Sequence, residues 1–166
     1  SSISPNVNQD QRTFTVTVTA VDDAPSFDTI SDVTASEDSA PVSVLITSVS
    51  VGPTDEAAQT LSLVAVSSDV TVIPDPTITG SGDTWTLTFQ PVAAANGSVT
   101  VSVTATDDGS SVSPNANTYT QDFVITVAAV NDTSAADDGT AATDEDVAVS
   151  VPLTGSDADG DLLSFL

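Results

Sequence analysis

The residues with the clearest chemistry are carboxylates grouped in short clusters. The stretch SDADGDLL, residues 156–163, carries Asp157, Asp159 and Asp161 in alternation with other residues. Calcium takes six to eight oxygen ligands, carboxylates included, so this spacing is typical of a calcium-binding loop. It is not an EF-hand loop, because counting from Asp157 places glycine at position 4, whereas an EF-hand needs it at position 6. An exposed polar turn is the alternative interpretation.

Other acidic clusters lie at the ends of apolar segments rather than within them. They are Asp22-Asp23, Glu37-Asp38, Asp107-Asp108, Asn131-Asp132 and Glu145-Asp146. The chain has 24 acidic residues and a single basic residue, Arg12, so its own side chains cannot neutralise these clusters. Crowded or buried carboxylates are costly without compensation. We therefore expect divalent cations to compensate them; solvated surface charge is the alternative.

The composition excludes several classes of protein. A net charge of -23 repels nucleic acids and anionic membranes, so we expect neither partner. Cysteine, histidine and lysine are absent, which removes disulfides, thiolate or imidazole metal sites and the commonest catalytic base. No apolar run approaches the ~20 residues that span a bilayer. The lack of methionine and of a signal peptide suggests an internal piece of a longer protein.

The elements that carry the clusters are predicted to be β-strands. Polar and apolar residues alternate with a period of two, Val and Thr are frequent, and Pro and Gly lie between the segments. The predicted strands span 13–21, 42–51, 60–67, 83–90, 98–106 and 120–130, with a short one near 30–35. No helical period is present. About seven short antiparallel strands in one module predict an all-β, immunoglobulin-like β-sandwich.

One strand carries two aromatic residues on the same face. Trp85 and Phe89 are four residues apart, and alternate residues of a strand point to the same side. We expect both side chains to lie in the core rather than to form a platform for a ligand.

The sequence repeats at a spacing of the size of a domain. SSISPNVN at 1–8 recurs as SSVSPNAN at 110–117, and SEDSAPVSV at 36–44 is echoed by DEDVAVSV at 144–151. Repeats at a fixed period indicate tandem modules joined end to end. Residues 1–23 would then end one module, residues 24–130 would form a complete module, and residues 131–166 would begin a third.

These motifs together resemble a known family. VSVTATDDGSSVSPNANTYTQDFVITVAAVND (101–132) is similar to the closing half of cadherin repeats: a strand ending in A-x-D, an Asp-Gly turn, a last strand and an N-D linker. AVDDAPSF (20–27) and TDEDVAVSVPLTGSDADGDLLSF (143–165) look like the linker and the opening half. The chain most closely resembles the bacterial cadherin-like tandem repeats of large secreted and surface adhesins.

The resemblance implies calcium bound at joints between successive modules. At the second joint the implied ligands are Glu37, Asn131, Asp132, Asp157 and Asp159, with Asp161 as an additional carboxylate. At the first joint they are linker Asp22 and Asp23, with Asp107 from the module that follows.

The complete module departs from the family pattern. GPTDEAAQ (52–59) stands where D-A-D-G is expected, leaving Asp55 or Glu56 as candidate substitutes, and FQPVAAANG (89–97) occupies the region of the D-R-E motif. Asp22 stands where the linker usually has asparagine. The first joint is therefore expected to bind fewer ions than the second, or none.

The function implied is a calcium-stiffened structural spacer of a bacterial cell-surface or secreted adhesin, located outside the cell. Its partners would be neighbouring modules, with self-association into fibres or a lattice. A subunit of a surface layer or extracellular filament is the alternative. Glycoside cleavage by paired carboxylates is a third class, which the near absence of aromatic residues disfavours, so no enzyme is expected. Carbohydrate binding would depend on Trp85 and Tyr119.

Overall fold

The computed structural model describes residues 10–165, and they form an all-β structure. Nine strands are present in this range, and a single 3-10 turn, Thr54–Glu56, lies between the second and third. The strands are β1 (Val33–Ser36), β2 (Val42–Ile46), β3 (Leu61–Ser67), β4 (Thr77–Ser81), β5 (Thr84–Phe89), β6 (Gly97–Asp107), β7 (Thr118–Ala128), β8 (Ala135–Ala136) and β9 (Gly155–Ser156).

Strands β1 to β7 form two sheets that share one core. The order is β1-β7-β6-β3 in the larger sheet and β2-β5-β4 in the smaller. Six of these strands alternate as predicted from the sequence, because inward apolar side chains face the opposite sheet and polar ones face water. The prediction of an all-β fold is confirmed, and the two sheets are arranged like a sandwich. The tandem modules and their bounds stay a prediction.

The prediction of purely antiparallel strands is wrong for one pair. β1 lies parallel to β7, with Val33 opposite Ile125 and Ser36 opposite Ala128. The chain first pairs Ser26 with Ser50, next to the smaller sheet, and then crosses to the larger one. It therefore runs along β7 in the same direction instead of returning by a hairpin.

The core is made of aliphatic side chains from both sheets. Leu87 of the smaller sheet and Ile125 of the larger one are fully buried. Along β6 the buried residues alternate with exposed or half-buried Ser and Thr, the period-two pattern of the sequence. The buried members of β6 are Val99, Val101, Val103, Ala105 and Asp107, so the inward series ends on a carboxylate.

The sandwich has two ends, which we call the N-terminal pole and the C-terminal pole. At the N-terminal pole, β6 ends at Asp107, which pairs with Leu61 at the start of β3. At the C-terminal pole, β1 ends at Ser36 beside Ala128, the last residue of β7. The acidic clusters next to the module follow these strand ends and therefore lie at the poles rather than on the sheets.

Two predictions for the smaller sheet need correction. Strand β4 was not predicted, because Pro74, Pro76 and Gly80 mark breaks in the sequence; the strand forms at the sheet edge as the partner of β5. Trp85 was predicted to lie in the core; it is half-buried and packs against the core from its edge. Its indole donates a hydrogen bond of 3.0 Å to the carbonyl of Gly82. Phe89 is buried, as predicted.

The predicted strand at 13–21 is not formed. Residues 10–21 have no strand pairing, and Phe14 and Val18 are more than four-fifths exposed. A strand needs hydrogen-bonded neighbours and a surface on which to bury its apolar face. Residues 10–21 pair with no other strand, and their side chains are exposed. The repeat segment 1–8 lies outside the described residues.

Residues 131–165 carry a local copy of the turn that follows β1. Asp38 and Asp146 both have positive φ, at 58° and 66°. The amide of Ser39 donates to the carbonyl of Ser36, and the amide of Val147 donates to that of Asp144, at the same spacing along the chain. The short β8–β9 pair is the remaining sheet structure in this segment.

Among residues 10–165, no helix is long and apolar enough to cross a membrane.

The burial pattern predicts that two substitutions by alanine differ in their effect on the free energy of unfolding. Leu87→Ala should lower the free energy of unfolding by about 2–5 kcal/mol, because Leu87 is 0% exposed and its loss leaves a cavity. Val64→Ala, at a side chain that is 58% exposed, should cost about 0.5 kcal/mol or less. Urea unfolding of both variants measures the difference; equal losses would contradict the placement of the two sheets.

Candidate metal sites at the two poles

Four carboxylates at the poles share one hydrogen-bonding pattern. In each, one oxygen accepts a hydrogen bond from an N–H group. The other oxygen is buried and has no partner. The four are Asp22, Glu37, Glu56 and Asp107. Buried polar atoms are rarely left unpaired, so four at the ends of one sandwich require an explanation.

At the C-terminal pole, Glu37 is held inside by the end of β1. Its amide donates to the carbonyl of Ala128 at 3.0 Å, so the residue continues the pairing of β1 with β7 by one position. Its Oε1 accepts from the amide of Val130 at 2.6 Å, whereas Oε2 has no donor. The side chain is 1% exposed, which is rare for an ionisable group without a charged partner.

The aspartate-rich loop folds around its first carboxylate. Oδ1 of Asp157 accepts from the amides of Asp159 and Asp161, at 3.0 and 3.2 Å. Asp159 in turn accepts from the amide of Asp132 in the linker. The loop, the linker and the end of β1 therefore meet at the C-terminal pole.

The electrostatics of Asp132 show how crowded this pole is. Its pKa is raised above the ordinary value, first by desolvation and then by the negative charges of Asp38, Asp159, Glu37 and Asp157. No positive side chain offsets these negative charges, because the single basic residue, Arg12, pairs with Asp10 at 3.1 Å, with both side chains mostly exposed. The linker carboxylate therefore holds its proton more tightly than an isolated aspartate.

At the N-terminal pole, the linker is tied to the loop that follows β2. The amide of Asp23 donates to Oε1 of Glu56, and the side-chain amide of Gln59 donates to Oδ1 of Asp22. Asp22 is further fixed by its own amide, which donates to the Asn115 side chain at 2.8 Å. These contacts bring together residues that are far apart in sequence.

Two glycines make room for the carboxylates of this pole. A Cβ added at Gly52 would lie 1.8 Å from Oε2 of Glu56, and one added at Gly109 would lie 1.9 Å from Oδ1 of Asp22. Gly109 also donates its amide to Oδ1 of Asp107 at 2.9 Å. A side chain at either position would therefore require the facing carboxylate to shift.

The structure brings some predicted ligands together and separates others. Glu37, Asp132, Asp157 and Asp159 meet at the C-terminal pole, and Asp22 and Asp107 flank Gly109 at the other. Asn131 precedes Asp132 at the C-terminal pole. Its side chain is exposed, and its side-chain amide donates to the carbonyl of Asp132 at 2.9 Å. Asp23 contributes its amide, not its exposed carboxylate.

Within residues 10–165, no three or more acidic side chains are arranged as a ready-made metal site. Like charges move apart when nothing neutralises them, so the orphaned oxygens are the more informative observation. The ligand predictions remain predictions. Gln59 was missed entirely, because a lone amide in a turn carries no sequence pattern.

The two aromatic residues considered for carbohydrate binding do not form a common platform. Tyr119 packs edge-on against Phe27, with ring centroids 5.0 Å apart. Trp85 lines a separate groove of about 720 Å³ between the β4–β5 hairpin and residues 49–61.

The resemblance of this chain to known proteins is distant. No protein-family model matches the chain, and no curated protein matches it. An endo-fucoidan hydrolase from glycoside hydrolase family 107 is similar in structure over 64% of this chain, at 17% identity and a TM-score of 0.43; the match covers 14% of the hydrolase chain. This chain thus spans a small part of that protein's length, and so distant a likeness carries no conclusion about activity.

The crowding at Asp132 predicts an unusual titration in calcium-free solution. Because its pKa is raised in the folded chain, the contribution of Asp132 favours folding below the ordinary aspartate pKa and is lost as pH rises through its folded-state pKa. Carboxyl ¹³C NMR should show Asp132 titrating above the ordinary value, and Asp159→Asn should lower its midpoint.

Asp28 provides an internal reference for this titration. Hydrogen bonds from the Ser48 and Thr47 hydroxyls lower its pKa. The titration midpoint of Asp28 should therefore lie below the ordinary aspartate value, whereas that of Asp132 should lie above it. A midpoint for Asp132 at or below that of Asp28 would contradict the described arrangement of the C-terminal pole.

Proposed function

We propose that this chain is part of a structural spacer built from tandem sandwich modules, and that calcium bound at the joints holds neighbouring modules in line. The observation that carries this proposal is Glu37. Its free Oε2 is buried at the C-terminal pole, where the linker Asp132 and the aspartates of the next segment also lie.

The charges of this pole support a cation as the missing partner. Five carboxylates interact there, those of Asp38, Glu37, Asp132, Asp157 and Asp159. A divalent cation would neutralise two charges and accept several oxygens at once, and calcium tolerates the irregular geometry that a joint offers. Residues from the module, the linker and the following segment would then hold the same ion.

Calcium binding of this kind would change how the chain bends. Without the ion, repulsion between the facing carboxylates leaves the linker free to swing; with it, the two sides are held together. Extracellular modules bind calcium at about 10⁻⁴–10⁻³ M, so the sites would fill outside the cell. These properties suit the stalk of a secreted or surface adhesin of a bacterium, which is the role we favour.

A repeat of a surface layer or extracellular filament is the second candidate. It would use the same joints but would also need contacts between copies of the chain. Sedimentation velocity in millimolar calcium separates the two: a particle that stays monomeric over a wide concentration range supports the spacer, and progressive assembly supports the filament.

The spacer proposal predicts that calcium narrows the motion at the second joint. The chain contains no cysteine, so spin labels at Thr126→Cys and Ser150→Cys report the distance across the linker specifically. Millimolar calcium should sharpen the distance distribution relative to chelator. Glu37→Gln and Asp159→Asn should each abolish most of this sharpening, because each removes one carboxylate of the joint.

Asp138→Asn is the matched control. It removes one charge from an exposed side chain of the same segment and should leave the calcium response unchanged. A distribution that ignores calcium in the unsubstituted chain, or that responds equally in all variants, would rule out a calcium-stiffened joint here.

A further inference from the structure

We propose that the groove beside Trp85 is a docking site for a basic partner protein, and that it takes an arginine side chain carried on an extended, partly apolar segment of that partner. The groove lies between the β4–β5 hairpin and residues 49–61. It is built from side chains other than the carboxylates of the two poles, and its occupant is not a metal ion. The proposal therefore goes beyond the spacer function and does not depend on it.

The indole ring of Trp85 is held in place from two directions. Gly80 faces Trp85 across the hairpin, and a Cβ added at Gly80 would lie 2.8 Å from Cγ of the indole. The ring thus occupies space that a side chain on β4 would need. Its N–H group donates to the carbonyl of Gly82 in the turn at 3.0 Å. A ring that is already fixed loses little conformational freedom when a ligand binds against it.

The opposite wall of the groove is joined to the same hairpin. The amide of Val49 donates to the carbonyl of Asp83 at 3.1 Å, and Val51, Pro53 and Leu61 add apolar surface farther along this wall. The volume of about 720 Å³ lies within the range of ~300–1,000 Å³ that is typical of ligand sites. Such a volume exceeds that of a single charged group, so the occupant has to bring apolar neighbours with it.

Most side-chain donors of the groove are directed at acceptors within the chain. They are the hydroxyls of Ser50 and Thr60, the amide of Gln59 and the indole of Trp85. The hydroxyls of Thr54 and Ser81, which also line the groove, can either donate or accept. A ligand therefore meets more acceptors than donors, which favours a ligand that is rich in N–H groups.

The charge of the groove favours a cation. Among the described residues that line it, Asp83 is the one ionisable side chain. The single basic residue of the chain, Arg12, pairs with Asp10, so no positive side chain neutralises Asp83. The net charge of -23 adds a long-range attraction for basic partners and repels acidic ones.

Arginine matches these features better than other cationic groups. Its guanidinium is planar, carries five N–H donors and no acceptor, and stacks on aromatic rings. Against the indole of Trp85 it would gain a cation–π interaction, with Asp83 as the counter-charge. The ammonium group of lysine is compact and more strongly hydrated, so it would gain less from the same ring.

The single tryptophan makes the groove observable by fluorescence. Because Trp85 is the only tryptophan of the chain, a change in its emission reports on this groove. The probes are the end-blocked peptide Ala-Arg-Leu and the same peptide with citrulline, the neutral analogue of arginine, both added in the presence of chelator. The arginine peptide should shift the emission saturably, and the citrulline peptide should bind about tenfold more weakly.

Two aspartate variants separate local charge from overall charge. Asp83→Asn should weaken binding of the arginine peptide about two- to fivefold, as expected for the loss of an exposed ion pair. Asp138→Asn removes the same charge from an exposed side chain elsewhere and should leave binding unchanged. Trp85→Leu, followed by isothermal titration, should weaken binding about tenfold; Asp83→Asn keeps the proposal testable if that variant fails to fold.

Three results would overturn the proposal. Equal binding of the arginine and citrulline peptides would exclude a cation site. Equal losses in Asp83→Asn and Asp138→Asn would indicate unspecific attraction to an acidic chain. A saturable response to the neutral sugar maltotriose, without one to the arginine peptide, would assign the groove to carbohydrate. Because chelator is present throughout, each result is independent of calcium binding at the joints.

Discussion

The burial of carboxylates at both ends of the sandwich is the constraint on which the rest of the structure depends. The sequence holds 24 acidic residues against one arginine, and that arginine pairs with Asp10, with both side chains mostly exposed. Glu37, Glu56 and Asp107 are nevertheless buried. A backbone amide donates to one oxygen of each. The other oxygen of each is buried and has no hydrogen-bond partner within the described residues.

Much of the sandwich could be predicted from the sequence, because alternation of apolar and polar residues follows directly from the geometry of a half-buried strand. The inward series of β6 is the clearest case. The prediction failed where another factor decides. β4 forms despite its flanking prolines because β5 offers it an edge, and Trp85 stays half-buried because its indole N–H reaches the carbonyl of Gly82.

The candidate sites were less accessible to prediction, and the reason is again physical. Glu37 could be named because its segment recurs around Glu145, and the aspartates of the loop because they alternate with other residues over a short stretch. Gln59 could not, because its role depends on a contact with Asp22, 37 residues away, which exists only once the sandwich has closed. The burial of Glu56 rather than Asp55 depends on the phase of a single 3-10 turn, which no periodic pattern reports.

The parallel pairing of β1 with β7 has a mechanical consequence. The chain enters the sandwich at one pole and leaves at the other, so a pull on its two ends draws β1 and β7 in opposite directions along their common axis. All the paired residues from Val33–Ile125 to Ser36–Ala128 would then be loaded together, in shear, instead of opening one after another like a zipper. A sandwich connected in this way resists tension that is applied along the line between its two poles.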